Sequence, residues 1–337
     1  HDMVRRSESS CIQGEKPFEF LNKIQKVAYT LNPLTVKVSE ILQSMGRSVG
    51  KFQPICNHEL PPKPYDIAEN AESRKAYRRV AAEVRNLMAQ EFKKSCRTRM
   101  TMETVERFKD KEKFYIPWSF DYRGRVYPIP AFLTPQDTYF GKSLLLFSKG
   151  AKINAQGMKW IKFQLATTYG LDKATMEERI AWIDKPENYD LVTRVFYNPI
   201  DNIADWESAD EPWLFLAACN EWYELYYEHR DETHLPVAVD ATCSGLQILA
   251  GLSKDASTAR MVNVIGSEKP QDAYATIASK SMDAIPDRLK PHWDRKVTKR
   301  CVMTIPYNAK PFSNRSYIRD AFKEKGCLLY TSDAADE

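Results

Sequence analysis

The sequence predicts an α+β protein that is mostly helical, on three observations. Apolar residues recur at helical spacing over much of residues 1–115. From Phe114 the sequence FYIPWSFDYRGRVYPIP is instead aromatic, β-prone and interrupted by proline and glycine, as in short strands and turns. Further on, the run LPVAVD has the apolar, β-branched character of a short strand and ends in Asp240. The length of 337 residues suits about two domains.

The first helices are marked by their end signals. Asn32 and Pro33 form an N-cap and first-turn pair, an apolar helical pattern follows, and Gly46 ends it. After a proline-rich loop, a second helix is predicted to start near Ser73. Its apolar face comprises Tyr77, Val80, Ala81, Val84 and Met88, with Arg74, Arg78 and Arg85 off that face. Such basic outer faces can lie along a nucleic-acid backbone, although most simply cover a core.

Helices return after the aromatic segment. They are predicted over Ala155–Tyr169, ended by Gly170, and over residues 212–227, with an acidic, loop-like stretch at residues 197–211 between them. After LPVAVD, the small polar residues ATCSG lead into a new helical pattern from Leu246.

Composition excludes several classes of protein. The chain is 43% apolar and 28% charged, as in an ordinary globular protein, and it has no apolar run long enough to span a membrane. Its N-terminal arginines are not followed by the apolar segment of a signal peptide. The seven cysteines form no C-x-x-C pair, which argues against a zinc cluster or a disulfide framework and favours a reducing compartment.

Positive charge is concentrated in two blocks, although the net charge is only +4. Residues 74–125 hold 15 Lys and Arg against 7 Asp and Glu, and residues 288–325 hold 11 against 3. The rest of the chain is therefore acidic. This distribution predicts a polyanion bound along particular faces, although either block alone could equally be a solvated lysine-rich surface.

Asp240 is the first candidate for chemistry. An aspartate at the C-terminal end of an apolar strand projects from a rigid element, and nucleotidyl transfer needs carboxylates held in this way around two magnesium ions. A single aspartate in this setting is more often a turn former or a helix cap.

A second constellation lies in RKVTKRCVMTIPYN, within a block at residues 288–325 that is predicted to be a basic helix followed by an irregular turn. Arg295 and Lys299 are four residues apart and share one helix face, and Tyr307 lies near that face. Two cations and an aromatic tip could hold a triphosphate and screen its sugar. The alternative is an exposed basic helix with a partly buried tyrosine.

The third motif is DYRGRVY, residues 121–127. Gly124 permits a turn that brings the backbone close to a ligand, and Arg123 and Arg125 flank it. Tyr122 and Tyr127 could stack on bases or simply pack beneath the turn.

The order of DYRGRVYP, VDATCSGLQ and RKVTKRCVMTIPYN resembles the motif set of the single-subunit DNA-directed RNA polymerases of bacteriophages and mitochondria. The intervening FLAACNEWYEL and NVIGSEKPQDAYATIASK are similar to helices of that family, so the resemblance covers about residues 20–325. It implies a partial right-hand polymerase fold. Thumb helices and an adjoining region would occupy 1–113, the first part of the palm 114–256 with Asp240 in its sheet, and the start of the fingers 257–326.

The resemblance also implies a role for each candidate. Asp240 would be the catalytic ligand of two Mg²⁺ ions, and Ala241 would offer its backbone carbonyl to one of them, where the family often has glycine. Arg295 and Lys299 would contact the incoming triphosphate, and Tyr307 would help to select ribonucleotides. The residues that match the family's template- and hybrid-binding element are Asp121, Arg123, Gly124 and Arg125.

The sequence departs from the family in several places. Asn308 stands where glycine commonly follows the motif tyrosine, and Pro306 is expected to end or kink the helix. The family's second metal-binding aspartate, in a His-Asp-Ser-Phe-like hairpin, has no counterpart, because His-Asp occurs only at residues 1–2. We therefore expect this polypeptide alone not to extend RNA. The last residues, CLLYTSDAADE at 327–337, read like translated sequencing-adapter DNA and are expected not to be native.

The implied function is DNA-templated RNA synthesis from ribonucleoside triphosphates. The implied partners are the DNA template and the nascent RNA, with no membrane and a monomeric state. The implied location is the cytoplasm of a phage-infected bacterium, with the mitochondrion as the alternative.

Two rival interpretations stay open. A family A DNA polymerase shares the Arg/Lys/Tyr helix but normally has a glutamate soon after the aspartate, and ATCSGLQ contains no acid. A non-catalytic nucleic-acid-binding remnant would show salt-sensitive DNA binding. Binding alone would not require Asp240, Arg295, Lys299 and Tyr307 together.

Overall fold

A computed structural model describes residues 14–54, 59–121, 124–239 and 242–326, apart from the side chains of Gln90, Lys93 and Lys94. The chain divides into two compact units, residues 1–238 and residues 239–337. The terminal segment 327–337, expected to be foreign, lies outside the described residues.

Helices make up most of both units. The first unit contains α1 (Glu15–Ile24), α2 (Pro33–Ser44), α3 (Ala71–Phe108), α4 (Tyr139–Ser143), α5 (Ala155–Tyr169), α6 (Met176–Ala181), α7 (Pro186–Tyr197), α8 (Ile203–Glu207) and α9 (Pro212–Tyr226). The second contains α10 (Ser244–Ser253), α11 (Ala256–Met261), α12 (Ala273–Lys280), α13 (Arg295–Thr304) and α14 (Pro311–Glu324). Short 3₁₀ turns occur at Trp182–Asp184, Met282–Ala284, Lys290–His292 and Ile305–Tyr307. No helix of the described ranges is both long and apolar enough to cross a bilayer.

Three small antiparallel sheets lie in the first unit. Strand β1 (Ala28–Leu31) pairs with β2 (Phe114–Tyr115) on one side and β5 (Leu145–Phe147) on the other, β3 (Trp118–Phe120) pairs with β4 (Val126–Pro128), and β6 (Ala151–Lys152) pairs with β7 (Glu232–Thr233). The aromatic segment from Phe114 therefore forms short strands and turns as predicted. The prediction of a mostly helical protein with small sheets is confirmed.

Polar caps set the helix bounds where the sequence predicted them. Asn32 Oδ1 accepts a hydrogen bond from the Leu34 N–H at 3.1 Å, and Asn154 Oδ1 accepts one from the Gly157 N–H at 2.8 Å. Each cap satisfies an N–H that the first helical turn leaves without a partner. Gly170, at φ 142°, ends α5. The predicted bounds of α2 and α5 are confirmed, and α9 and α10 form close to their predicted positions.

The core of the first unit is built around α9, which has 11 buried residues and is therefore its central helix. The Trp213 ring lies 4.7 Å from Phe140, 5.2 Å from Phe52 and 5.4 Å from Trp206, measured between ring centroids. Its indole N–H donates a hydrogen bond to the Val49 carbonyl at 3.2 Å. One side chain thus joins α9 to the neighbouring α8 and to two segments that are distant in the sequence.

The second unit has a smaller core. Val262 and Val297 are completely buried. The Thr298 hydroxyl donates a hydrogen bond to the Tyr274 carbonyl at 2.9 Å, which ties α13 to α12. The Trp293 indole N–H donates to the Ser281 hydroxyl at 2.9 Å.

The predicted strand before Asp240 does not form. Residues 235–239 are irregular, and no segment of the described ranges pairs with them. Leu235 and Val237 pack partly against the core, whereas Val239 is 78% exposed. The apolar, β-branched character is present, but a strand also needs a neighbouring strand to pair with its backbone N–H and C=O groups.

Two further local predictions are wrong in part. The acidic stretch predicted as a loop contains α8, because Ile203 and Trp206 are buried in the core. Of the apolar face predicted for α3, only Ala81 is fully buried, and Val80 and Met88 are more than a third exposed. The basic block at residues 288–325 contains the predicted helix and turn, and the structure adds α14 after them.

Candidate functional site

Six of the nine predicted site residues lie in the part of the chain that the structure describes. Asp121, Gly124 and Arg125 belong to the first unit, whereas Arg295, Lys299 and Tyr307 belong to the second. Asp240, Ala241 and Arg123 lie outside the described residues.

The orientation of α13 about its axis is fixed by its buried face. Val297 and Val302 lie in the core, and Thr298 is bonded to the preceding helix. Because residues three and four apart share a helix face, Lys299 is left on the exposed side and Arg295 one turn before it. The predicted helix and its two-cation face are confirmed.

Arg295 is held by a carboxylate that the sequence did not single out. Its Nε donates a hydrogen bond to Asp272 Oδ2, and its guanidinium carbon lies 5.5 Å from the Tyr274 ring centroid. Burial alone would raise the pKa of Asp272, but the hydrogen bond and charge of Arg295, with the N–H groups of Ala275 and Tyr274, hold that pKa below its ordinary value. Asp272 is therefore an ionised partner at neutral pH.

Lys299 has no hydrogen bond or ion pair within the described ranges. The adjacent Arg300 differs, since its guanidinium carbon lies 4.5 Å from the Tyr317 ring centroid and its Nη1 lies 3.9 Å from Asp320 Oδ2. An ammonium group has three donors and no acceptor. The exposed Lys299 is thus available to an anion from outside the chain.

Pro306 ends α13, as predicted. The α-helix stops at Thr304, and Ile305–Tyr307 forms a 3₁₀ turn, because proline has no N–H to donate and its ring clashes with the preceding turn. Tyr307 follows and is 72% exposed. Asn308 then adopts φ 63°, a left-handed conformation that glycine enters without strain and asparagine enters more readily than most residues. This conformation explains how Asn308 replaces the glycine common in the family that the motifs resemble.

The helix that follows Asp240 lies against this turn. A Cβ added to Gly245 in α10 would lie 3.5 Å from Pro306 Cβ and 3.7 Å from the Tyr307 hydroxyl. A side chain longer than alanine would therefore meet the turn that carries Tyr307. Sequence reasoning did not identify Gly245 individually, although the run of small residues ATCSG was its signal.

The described residues of the DYRGR element, Asp121, Gly124 and Arg125, lie between the paired strands β3 and β4. Asp121 Oδ1 accepts a hydrogen bond from the Arg125 N–H at 2.9 Å, and the Gly124 N–H donates to the Asp121 carbonyl at 3.0 Å. Gly124 has φ 79°, which favours glycine. The side chain of Arg125 is exposed. The carboxylate therefore supports the turn, and the arginine is the group that the turn presents.

No group of three or more His, Cys, Asp or Glu side chains that could hold a metal occurs among the described residues. The two predicted ligands, Asp240 and Ala241, lie outside those ranges. They offer a carboxylate and a backbone carbonyl, and such oxygen donors are the kind that Mg²⁺ prefers.

Residues 151–336 match the model of a protein family described as DNA-dependent RNA polymerase. The matched range covers more than half of the chain and includes α10 and α13. It also runs into the segment 327–337, whose foreign origin stays a prediction.

Curated relatives extend the likeness over most of the chain. The mitochondrial DNA-directed RNA polymerase of Neurospora crassa is 30% identical over 317 residues, which cover 89% of this chain and 22% of the relative. The DNA-directed RNA polymerase of Enterobacteria phage T3 is 31% identical over 340 residues, with 90% and 38% covered. T7 RNA polymerase of Escherichia phage T7 is 29% identical over 338 residues, with 89% and 38% covered. The chain thus spans 22% to 38% of the length of these relatives.

Proposed function

This chain belongs to the DNA-dependent RNA polymerase family, and on that premise we propose that it binds the incoming ribonucleoside triphosphate in DNA-templated RNA synthesis. One observation carries the proposal. Arg295, held by Asp272, and Lys299, which has no side-chain partner among the described residues, lie on the same face of α13. The exposed Tyr307 follows them, beside the helix that begins just after Asp240.

In this proposal the two cations act on the phosphates. The Lys299 ammonium and the terminal nitrogens of Arg295 bind the triphosphate and neutralise the charge that grows on the leaving pyrophosphate. Fixed cations do this without the reorganisation that water would need. Tyr307 lies at the sugar, where its position beside Gly245 lets the hydroxyl distinguish ribose from deoxyribose.

Asp240 and the Ala241 carbonyl are proposed to hold Mg²⁺, and a second carboxylate outside the motifs of this chain would complete the site. Bound there, magnesium would lower the pKa of the attacking hydroxyl and polarise the phosphate. Cys243 precedes α10 in a left-handed conformation, φ 43°, and its carbonyl accepts hydrogen bonds from the N–H groups of Leu246 and Gln247. That tight turn fixes the start of α10 four residues after Asp240.

The hairpin of the first unit is proposed to contact the template and the hybrid through its arginines. Arg125 supplies an exposed guanidinium, and Arg123, outside the described residues, precedes it by two positions in the sequence. Asp121 and Gly124 shape the turn. Arginine is suited to phosphates because its planar donors reach two oxygens at once.

We further propose the right-hand subdivision of thumb at 1–113, palm at 114–256 and fingers from 257. The helix α3 supports the thumb assignment, since its 38 residues run about 57 Å and its first half is largely exposed. The relatives come from phages and from organelles. We propose the phage-infected bacterial cytoplasm as the location, and the mitochondrion is the second candidate.

Lys299→Gln is expected to weaken binding of Mg²⁺–ATP by this chain roughly tenfold or more, because it removes a charged donor from the phosphates. Isothermal titration calorimetry at fixed salt measures the change. Lys323→Gln on α14 is the matched control, since Lys323 is also exposed and lies in the same unit. Equal losses in both variants would show only non-specific attraction and would overturn the assignment of Lys299.

A further inference from the structure

We propose that Asp272 is a positioning residue for Arg295, holding the guanidinium through Nε so that its two terminal nitrogens serve a triphosphate. This inference rests on the proposed function, because it takes Arg295 to be a phosphate-binding residue. None of the three candidate-site motifs contains Asp272, which precedes Arg295 by 23 residues.

The contact between the two side chains is partly sheltered from water. The exposed fractions are 32% for the Arg295 side chain and 26% for that of Asp272. A pair at this depth is screened less than one on the open surface. Its geometry is also specific, because the carboxylate engages Nε rather than the outer edge of the guanidinium.

Asp272 is itself anchored to a helix. Its Oδ1 accepts hydrogen bonds from the Tyr274 N–H at 3.0 Å and the Ala275 N–H at 3.2 Å, which makes it the N-cap of α12. Tyr274 is 8% exposed, and its ring lies beneath the guanidinium. The Thr298 hydroxyl bonded to the Tyr274 carbonyl joins α12 to α13. The carboxylate is therefore held at the start of α12, and α12 is bonded to α13, the helix that carries Arg295.

This arrangement leaves the two terminal nitrogens of Arg295 available to a phosphate. A guanidinium has five N–H donors, and the bond at Nε uses one of them. Within the described ranges, the two terminal nitrogens of Arg295 have no hydrogen-bond partner. These nitrogens can donate hydrogen bonds to two phosphate oxygens at once. Holding the long side chain in one conformation beforehand reduces the entropy that binding would cost.

A carboxylate beside the arginine has an opposing effect, because its negative charge also repels a triphosphate. Removing the charge of Asp272 distinguishes positioning from repulsion, because the two effects change phosphate affinity in opposite directions. If Asp272 positions Arg295, its loss weakens phosphate binding. If Asp272 only offsets positive charge, its loss tightens binding. We expect the first outcome, because solvent screens the longer-range repulsion more than it weakens the direct hydrogen bond.

The test is Asp272→Asn in the 337-residue chain, with inorganic tripolyphosphate and Mg²⁺–ATP as probes in calorimetry. Asparagine remains a good N-cap, so α12 is kept while the negative charge of residue 272 beside Arg295 is lost. We expect both ligands to bind roughly tenfold more weakly, the size expected for a charge-assisted hydrogen bond. Tighter or unchanged binding would overturn the proposal.

Asp294→Asn is the matched control. Asp294 also caps a helix of this unit, accepting from the Lys296 N–H at 2.9 Å, and also pairs with a cation, Lys325, at 2.7 Å. Because its partner is not Arg295, its substitution is expected to leave tripolyphosphate affinity unchanged. An equal loss in both variants would indicate a general effect on the unit and would contradict the positioning role.

Arg295→Ala separates this inference from the function on which it rests. If Arg295→Ala weakens binding and Asp272→Asn has no further effect in that background, Asp272 acts through Arg295. If Arg295→Ala weakens binding but Asp272→Asn alone does not, only the positioning role fails. If the wild-type chain binds no tripolyphosphate, or Arg295→Ala binds it normally, the proposed phosphate site fails with it.

A spectroscopic readout needs no ligand. The Nε–Hε resonance of Arg295, assigned by its disappearance in Arg295→Lys, should shift in Asp272→Asn and remain in place in Asp294→Asn. An unshifted resonance in Asp272→Asn, with the melting temperature unchanged, would contradict the proposed hydrogen bond.

Discussion

Replacing Asp240 with Asn is expected to lower RNA extension by the complete polymerase about a thousandfold or more. Asparagine keeps the size of the side chain but removes the charge that would hold the metal ions. Loss of about 4 kcal/mol of transition-state stabilisation corresponds to about three factors of ten in rate. Extension of a labelled RNA primer on a DNA template, followed in single turnover, measures the change.

The matched control is Asp231→Asn, the same chemical change at an exposed aspartate nine residues earlier. It should leave the extension rate unchanged. Affinity for the primer–template should be little altered in both variants, since Asp240 is assigned to the chemical step. Extension by Asp240→Asn at the wild-type rate would remove this residue from the mechanism.

Replacing Trp213 with Ala is expected to lower the free energy of unfolding of the first unit by about 3–5 kcal/mol, the usual cost of emptying a large aromatic site in a core. Trp213 is 1% exposed and packs against Phe52, Phe140 and Trp206. The Val49 carbonyl keeps its hydrogen bond from the Phe52 N–H, so the loss comes mainly from packing. With domain stabilities of about 5–15 kcal/mol, such a loss is a large part of the total.

Urea unfolding followed by far-UV circular dichroism measures this cost. Trp160→Ala is the control, because Trp160 lies on α5 but is only partly buried. Its substitution should cost much less than that of Trp213. Equal costs would show that the aromatic contacts around α9 do not form the centre of the unit.

The sequence predicted those features that local interactions determine. Asn154 and Gly170 set the two ends of α5. The side-chain cap and the positive φ of the glycine each affect only the backbone of the nearest few residues. Pro306 ends α13 for an equally local reason. The two-cation face of Arg295 and Lys299 follows from helical spacing alone.

Features that depend on distant residues could not be predicted in this way. Residues 235–239 have the apolar, β-branched character of a strand but have no pairing partner among the described segments. The helix α8 forms inside an acidic stretch because the side chains of Ile203 and Trp206 are buried in the core. The bond between Asp272 and Arg295 joins separate helices and leaves no periodic signal. Individual functional contacts of this kind require the tertiary fold.

We propose that this chain carries the nucleotide-binding part of an RNA polymerase. This proposal is tested most directly by giving the complete polymerase a DNA template with ribo- and deoxyribonucleoside triphosphates in competition. We predict template-directed incorporation of ribonucleotides, strongly preferred over deoxyribonucleotides and weakened by Lys299→Gln. Preferential incorporation of deoxyribonucleotides, or DNA binding without any incorporation, would contradict the assignment of this chain to ribonucleotide binding.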